Sequence, residues 1–93
     1  MEQNDHVVHN ESRQRFELSI DGQLARADYR LVDGVMHMVH TEVPGQHEGR
    51  GLAARLVRAA LAHARANGYK VRPACSYVRS YFARHPEEKN LLA

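Results

Sequence analysis

The dipeptide Asp-Gly occurs twice, at Asp21-Gly22 and Asp33-Gly34, each time between stretches of alternating polarity, and no other feature restricts the fold so tightly. Asp-Gly suits a two-residue hairpin loop because both central residues of a type I′ turn need positive φ. With Asp21-Gly22 as the loop, Ile20 faces Gln23, Leu18 faces Ala25 and Phe16 faces Ala27. The same register sets Glu17 opposite Arg26 and Arg15 opposite Asp28, so opposite charges pair on one face and apolar side chains on the other. An antiparallel meander is predicted over Arg15–Ile20, Gln23–Val32 and Val35–Glu42, preceded by a short strand at His6–His9 and a polar turn at Asn10–Arg13.

Counting through the second turn sets Tyr29 opposite Met38, Leu31 opposite Met36 and Ala27 opposite His40. One face then carries Phe16, Leu18, Ile20, Tyr29, Leu31, Met36 and Met38, with His40 and Glu42 at its polar end. A β-bulge between Val39 and Val43 would reverse the side of those last two residues.

Beyond Glu42 the apolar period changes from two to that of a helix. Leu52, Ala53, Leu56, Val57, Ala60, Leu61 and Ala64 recur at three- and four-residue spacing, with Arg50, Arg55, Arg58 and Arg65 on the opposite side. Asn67-Gly68 supplies a stop. Tyr69–Arg72 follows as a strand, parallel to Val35–Glu42 because a helix joins the two, and Pro73 ends it. Ser76 is placed to cap a short helix through about Arg84, which His85-Pro86 breaks before a tail at residues 87–93. The reading is an α+β fold in one domain over residues 1–93: an antiparallel meander, a strand–helix–strand unit and a short C-terminal helix.

At 93 residues the chain has room for one small core. A formal net charge of +2 suits an anionic ligand and gives no strong argument for nucleic acid. The single cysteine excludes an intrachain disulfide and fits a reducing compartment. No run approaches the roughly 18 apolar residues of a membrane span, and the polar start does not resemble a signal peptide. A cytoplasmic protein without a membrane partner is expected, as a monomer or weak homodimer.

The chemistry concentrates where strand gives way to helix. Between Val43 and Leu52 a glycine-rich turn gathers backbone N–H groups at a helix N-terminus, which is an anion site in waiting. Cys75 falls between a strand end and a helix start, where the helix field favours thiolate. His6/His9 and His37/His40 are spaced i, i+3 in strands, which puts the partners of each pair on opposite faces and argues against a metal site.

Four sequence elements in order carry a family resemblance: His40-Thr41-Glu42-Val43-Pro44, Gln46-His47-Glu48-Gly49-Arg50-Gly51, Pro73-Ala74-Cys75-Ser76-Tyr77 and His85-Pro86. Together they resemble the small single-domain GNAT-like acetyltransferases, over about residues 6 to 88. The second matches Q/R-x-x-G-x-G/A, the pyrophosphate signature of that superfamily. The resemblance implies an acetyl-coenzyme A site. Backbone groups around Glu42 and Val43 would pair with the pantetheine arm as an added strand. The turn of Gln46, His47, Glu48, Gly49, Arg50 and Gly51, running into Leu52 and Ala53, would hold the pyrophosphate. Cys75 would lie beside the thioester as a candidate nucleophile. Larger members use a tyrosine on the matching helix to reprotonate the coenzyme thiolate; Tyr77 and Tyr81 flank this region, and Tyr81 is included in the coenzyme site.

Transfer to an amine also needs a base. Presenting an alkyl amine uncharged at neutral pH costs roughly 4.6 kcal/mol, so a nearby proton acceptor or a desolvating pocket has to help. His40 and Glu42 are the candidates, and His40 could also activate Cys75 across the gap between the strands. The acceptor is a small-molecule amine or a protein lysine. Two other functions fit less of the pattern: a coenzyme A binding or sensing module with little turnover, and a small basic interaction domain.

Overall fold

In a computed structural model, which describes residues 6–93, the two Asp-Gly loops fold as expected. Asp21 and Gly22 have φ of 51° and 75°, and Asp33 and Gly34 have 51° and 77°. Both loops therefore have the positive φ pair of a type I′ turn, whose twist matches the strands it joins. Strands β1 (Val8–Asn10), β2 (Arg15–Ile20), β3 (Gln23–Val32) and β4 (Val35–Glu42) form an antiparallel meander, and β5 (Lys70–Pro73) adds in parallel beside β4. The first strand lies at residues 8–10 rather than 6–9, and its turn ends at Gln14, whose φ is 53°. Gln14 ties that turn to β3 by accepting Tyr29 N–H on its carbonyl and Leu31 N–H on its side-chain oxygen.

The β2–β3 register is the one the charge pairs dictate, from Ile20↔Gln23 to Arg15↔Asp28. On β3–β4 the expected pairs Tyr29↔Met38 and Leu31↔Met36 form, but the register then slips between Asp28 and Tyr29. Asp28 pairs with His40, Ala27 with Thr41 and Arg26 with Glu42, so Val39 is a surplus residue on β4. This bulge overturns the expected sidedness, since side chains beyond an extra residue emerge on the other face. Thr41 takes the core side. His40 and Glu42 point outward, with side chains 52% and 54% exposed. His37 and His40, expected on opposite faces, now share the outer one.

Helix α1 (Leu52–Asn67) crosses the sheet and α2 (Ser76–Arg84) follows β5. Phe16 and Leu18 of β2, Ala25, Ala27 and Tyr29 of β3, and Met36 and Met38 of β4 form one core with Leu56, Val57, Ala60 and Leu61 of α1 and Val78 and Phe82 of α2. Both helices thus cover the same face of the sheet. Leu31, expected in this stripe, is 39% exposed at the sheet's end. The opposite face holds Arg15, Glu17, Arg26, Asp28, His40 and Glu42, with Arg26 linked to Asp28 at 3.2 Å and to Glu42 at 3.5 Å.

Gly68 (φ 71°) stops α1 with the 6→1 bond of a Schellman motif, Tyr69 N–H to Ala64 O at 2.9 Å. The tail has more structure than its sequence suggested. Pro86–Leu91 is a 3₁₀ helix, Arg65 meets Glu88 at 2.6 Å, and Ala93 N–H bonds Val71 O on the outer edge of β5.

Candidate coenzyme site

β5 accompanies β4 only from Val35 to Met38. One further backbone bond, Cys75 N–H to Met38 O at 2.9 Å, then turns the chain into α2. β4 keeps β3 on its other side as far as Glu42, and a cavity of about 410 Å³ opens beside this parting. Thr41, Val43, Gly49, Gly51, Leu52 and Tyr77 are among its lining residues. It therefore adjoins both a strand end and the start of α1, the place where sheets of this kind take ligands.

The turn that enters α1 sets its chemistry. A 3₁₀ turn at Gly45–His47 is followed by Gly49 at φ 84° and Gly51 at φ 78°, both left-handed, where a Cβ would be strained. Gly51 is the N-cap, and no side chain caps the helix. Arg55 N–H bonds Gly51 O at 3.1 Å. The N–H groups of Leu52, Ala53 and Ala54 consequently have no intrahelical acceptor, and they carry the positive end of the helix dipole. Open space surrounds the position of a Cβ at either glycine, so an anion can come close to the backbone there.

Of the residues expected in this turn, His47, Glu48, Gly49, Gly51, Leu52 and Ala53 line the cavity, as does Val43. Gln46 and Arg50 are exposed. His47 differs from a solvated loop residue. It is 2% exposed, its Nε2 faces Asp21 Oδ2 at 3.7 Å and Gln46 Nε2 at 3.4 Å, and its Nδ1 is buried without a hydrogen-bond partner.

Cys75 is the N-cap of α2, one residue before the Ser76 expected to cap it. Its thiol donates to Thr41 Oγ1 at 3.6 Å. Burial pushes the thiol pKa up, but hydrogen bonds from Val78 N–H, the Thr41 hydroxyl and the N–H groups of Tyr77 and Thr41 outweigh it. The net shift is downward, toward thiolate, as expected of a sulfur at a helix N-terminus. Thr41 was not singled out from the sequence. The signal was present, because the apolar phase of Met36 and Met38 resumes at Thr41 and Val43, three residues on rather than two.

The expected link from His40 to Cys75 is absent, since the bulge turns His40 outward while Cys75 meets Thr41 on the core side. His40 Nε2 lies 3.1 Å from Glu42 Oε1. That bond, the Arg26 charge and the charge of His40 lower the Glu42 pKa against a small opposing effect of burial. Tyr81 does not line the cavity either; it is 2% exposed and stacks on His85 at 4.1 Å. Tyr77, one helical turn earlier, lines it instead. Among the described residues, no three His, Cys, Asp or Glu side chains converge as a metal site, and no helix is long and apolar enough to cross a membrane.

Known proteins resemble this chain in sequence and fold. The chain is 33% identical over 87 residues to Protein NATD1 of mouse and of human, covering 86% of this chain and 76% and 74% of those proteins. Its fold matches the solution structure of a GCN5-like protein from Staphylococcus aureus with a TM-score of 0.79 and 25% identity, over 99% of this chain and 91% of that one. Residues 15–91 match the family described as GCN5-related N-acetyl-transferase, and with the sheet, the parting strands and the glycine turn in place, the chain belongs to that family.

Proposed function

We propose that the protein binds acetyl-coenzyme A at the α1 turn and transfers its acetyl group to an amine. The observation that carries this reading is the pair of left-handed glycines, Gly49 and Gly51, presenting uncapped N–H groups to a cavity beside the parting strands. Such a turn holds a pyrophosphate by backbone amides and helix dipole. Gln46 and Arg50, exposed on the same turn, add side-chain contacts, and the free side of β4 around Glu42 and Val43 takes the pantetheine amides as an added strand.

Cys75 is the proposed nucleophile. Its thiolate attacks the thioester carbonyl carbon, the new S–C bond replaces the coenzyme S–C bond, and the coenzyme leaves as a thiolate that takes up a proton. An amine nitrogen then attacks the acetyl-cysteine, the amide forms, and Cys75 leaves as thiolate. The amine's proton passes to solvent at the open side of the cavity, since His40 and Glu42, the expected base, lie across the sheet from Cys75. Tyr77, on the cavity wall where Tyr81 is not, is the tyrosine placed to return a proton to the coenzyme sulfur. The acceptor is an alkyl amine, of a small molecule or a protein lysine, and the free thiol suits a reducing compartment such as the cytoplasm.

Intact-mass measurement after mixing with acetyl-coenzyme A tests this. Cys75 should gain about 42 Da, one acetyl group, and added amine should discharge it. Turnover that survives Cys75→Ala undiminished would remove the covalent route and leave direct transfer. A second reading, a coenzyme A binding or sensing module with little turnover, draws on the position of His40 and Glu42 across the sheet from Cys75. It predicts coenzyme binding with neither adduct nor turnover.

A further inference from the structure

The buried His47 is not explained by an amide turn alone. A ring nitrogen sealed from water without a partner is costly, and a buried polar atom of this kind marks strain or a missing interaction. The other ring nitrogen has two neighbours that ask for opposite things. Gln46 Nε2, at 3.4 Å, can only donate, so it is satisfied by a neutral ring with a lone pair at Nε2. The Asp21 carboxylate, at 3.7 Å across from the β2–β3 turn, is satisfied by a ring that carries a proton there.

We propose that His47 is a proton-linked positioning residue: anion binding at the α1 turn draws a solvent proton onto its Nε2, which then pairs with Asp21 and releases Gln46 toward the ligand. This rests on the coenzyme reading above. The negative charges near the ring favour the change, and Gln46 opposes it. Asp21 lies on the β2–β3 turn, Glu48 is the next residue, and the pyrophosphate would bring two more negative charges. From α2 the titratable side chain on the cavity is the neutral phenol of Tyr77, while α1 and β4 contribute only Leu52, Ala53, Thr41 and Val43 there. Burial opposes a charged ring, so the ligand's own charge tips the balance.

The test uses dephospho-coenzyme A, which keeps the pyrophosphate but lacks the 3′-phosphate, a monoester that itself titrates near neutrality. Calorimetry in buffers of differing ionisation enthalpy should show net proton uptake by the wild type. Kd should weaken as pH rises, by up to about tenfold per unit for one linked proton. His47→Gln should bind with no uptake and a flat profile. Should that variant fail to fold, Asp21→Asn, a residue that also tolerates the left-handed turn, should displace the weakening to lower pH. Binding by the wild type without uptake, or an unchanged slope in His47→Gln or Asp21→Asn, overturns the linkage and leaves the coenzyme site standing. Folded wild type that binds neither dephospho-coenzyme A nor coenzyme A overturns both.

Discussion

The thiol of Cys75 meets the hydroxyl of Thr41 at 3.6 Å, across 34 residues of sequence, at the point where β4 and β5 part. The contact joins the only cysteine to a strand position that faces the core because of one surplus residue. A hydroxyl beside a thiol can accept its proton bond or, once the sulfur is ionised, donate to it. Thr41 therefore tunes how readily Cys75 reacts.

Replacing Thr41 with valine keeps the shape and removes that donor. Losing one hydrogen bond of about 1 kcal/mol should slow iodoacetamide alkylation at neutral pH about fivefold and move the midpoint of its pH profile upward. In the wild type that midpoint should lie below the ordinary thiol value, with reactivity falling as pH drops through it. A midpoint unmoved by Thr41→Val would mean the α2 amides alone stabilise the thiolate.

Gly51 and Gly68 form a matched pair. Both are left-handed, at φ 78° and 71°, and neither has an atom within 4 Å of a Cβ position. Alanine at either should cost about 1–3 kcal/mol of stability through backbone strain. Coenzyme A binding, measured by calorimetry, should weaken at least about tenfold in Gly51→Ala, a loss of roughly 1.4 kcal/mol, and stay near wild type in Gly68→Ala. Equal losses in both would reduce the turn before α1 to a structural one.

Glu42 owes its lowered pKa first to the hydrogen bond from His40 and second to Arg26. Carbon-detected NMR titration should place its midpoint below the ordinary glutamate value. His40→Ala should raise it more than Arg26→Ala does. The sign follows from a depressed folded pKa: any stabilisation is present above the unfolded value and is lost as pH falls through the folded one. With His40 across the sheet from Cys75, His40→Ala should leave kcat and the coenzyme KM little changed, which steady-state kinetics at saturating amine would read.

His9 ties the edge strand β1 to the body. Its ring stacks on Phe16 at 4.2 Å, meets His63 edge-on at 4.4 Å and bonds the Tyr29 hydroxyl at 2.6 Å. Burial, then the charge of His63, lowers its pKa, against a smaller opposing effect of Glu11. The unfolded chain therefore binds the proton more readily, and stability should fall as pH drops below about 6.5, the unfolded histidine value, toward the lower folded one. His9→Phe keeps the stack and removes the titration. Thermal unfolding should show a flatter dependence between about pH 7 and pH 5 and, with the Tyr29 hydroxyl unpartnered, a loss of about 1 kcal/mol at neutral pH, or about 4–8 °C in Tm for a domain this size.

Local rules made most of the frame readable. Asp-Gly dictates a type I′ loop, and the charge pairs of β2 and β3 admit one register, so the bounds of those strands and of β4 follow from sequence. Gly49, Gly51 and Gly68 announce their left-handed positions because few other residues go there cheaply. What escaped depends on contacts between distant residues. The bulge is marked in the sequence only by the apolar phase resuming at Thr41 and Val43, which strict alternation counted from Met36 and Met38 passes over. Tyr81 reads like Tyr77 until the helix is docked, when one faces the core and the other the cavity. The tail has no pattern of its own and is held by Arg65 and Val71.

Val39 has the last consequence. Pairing it in regular register, instead of as a surplus residue, would exchange an alcohol for an imidazole and a carboxylate on the inner side of β4, and leave the sulfur of α2 with a different neighbour. Relatives that keep this length but pair every residue would thus bring contrasting reagents to the same opening, whereas loss of Val39 would leave Thr41 facing inward. Sequence alignment alone would conceal it, whereas the pairing of the residue after Met38 would reveal which reagent each has chosen.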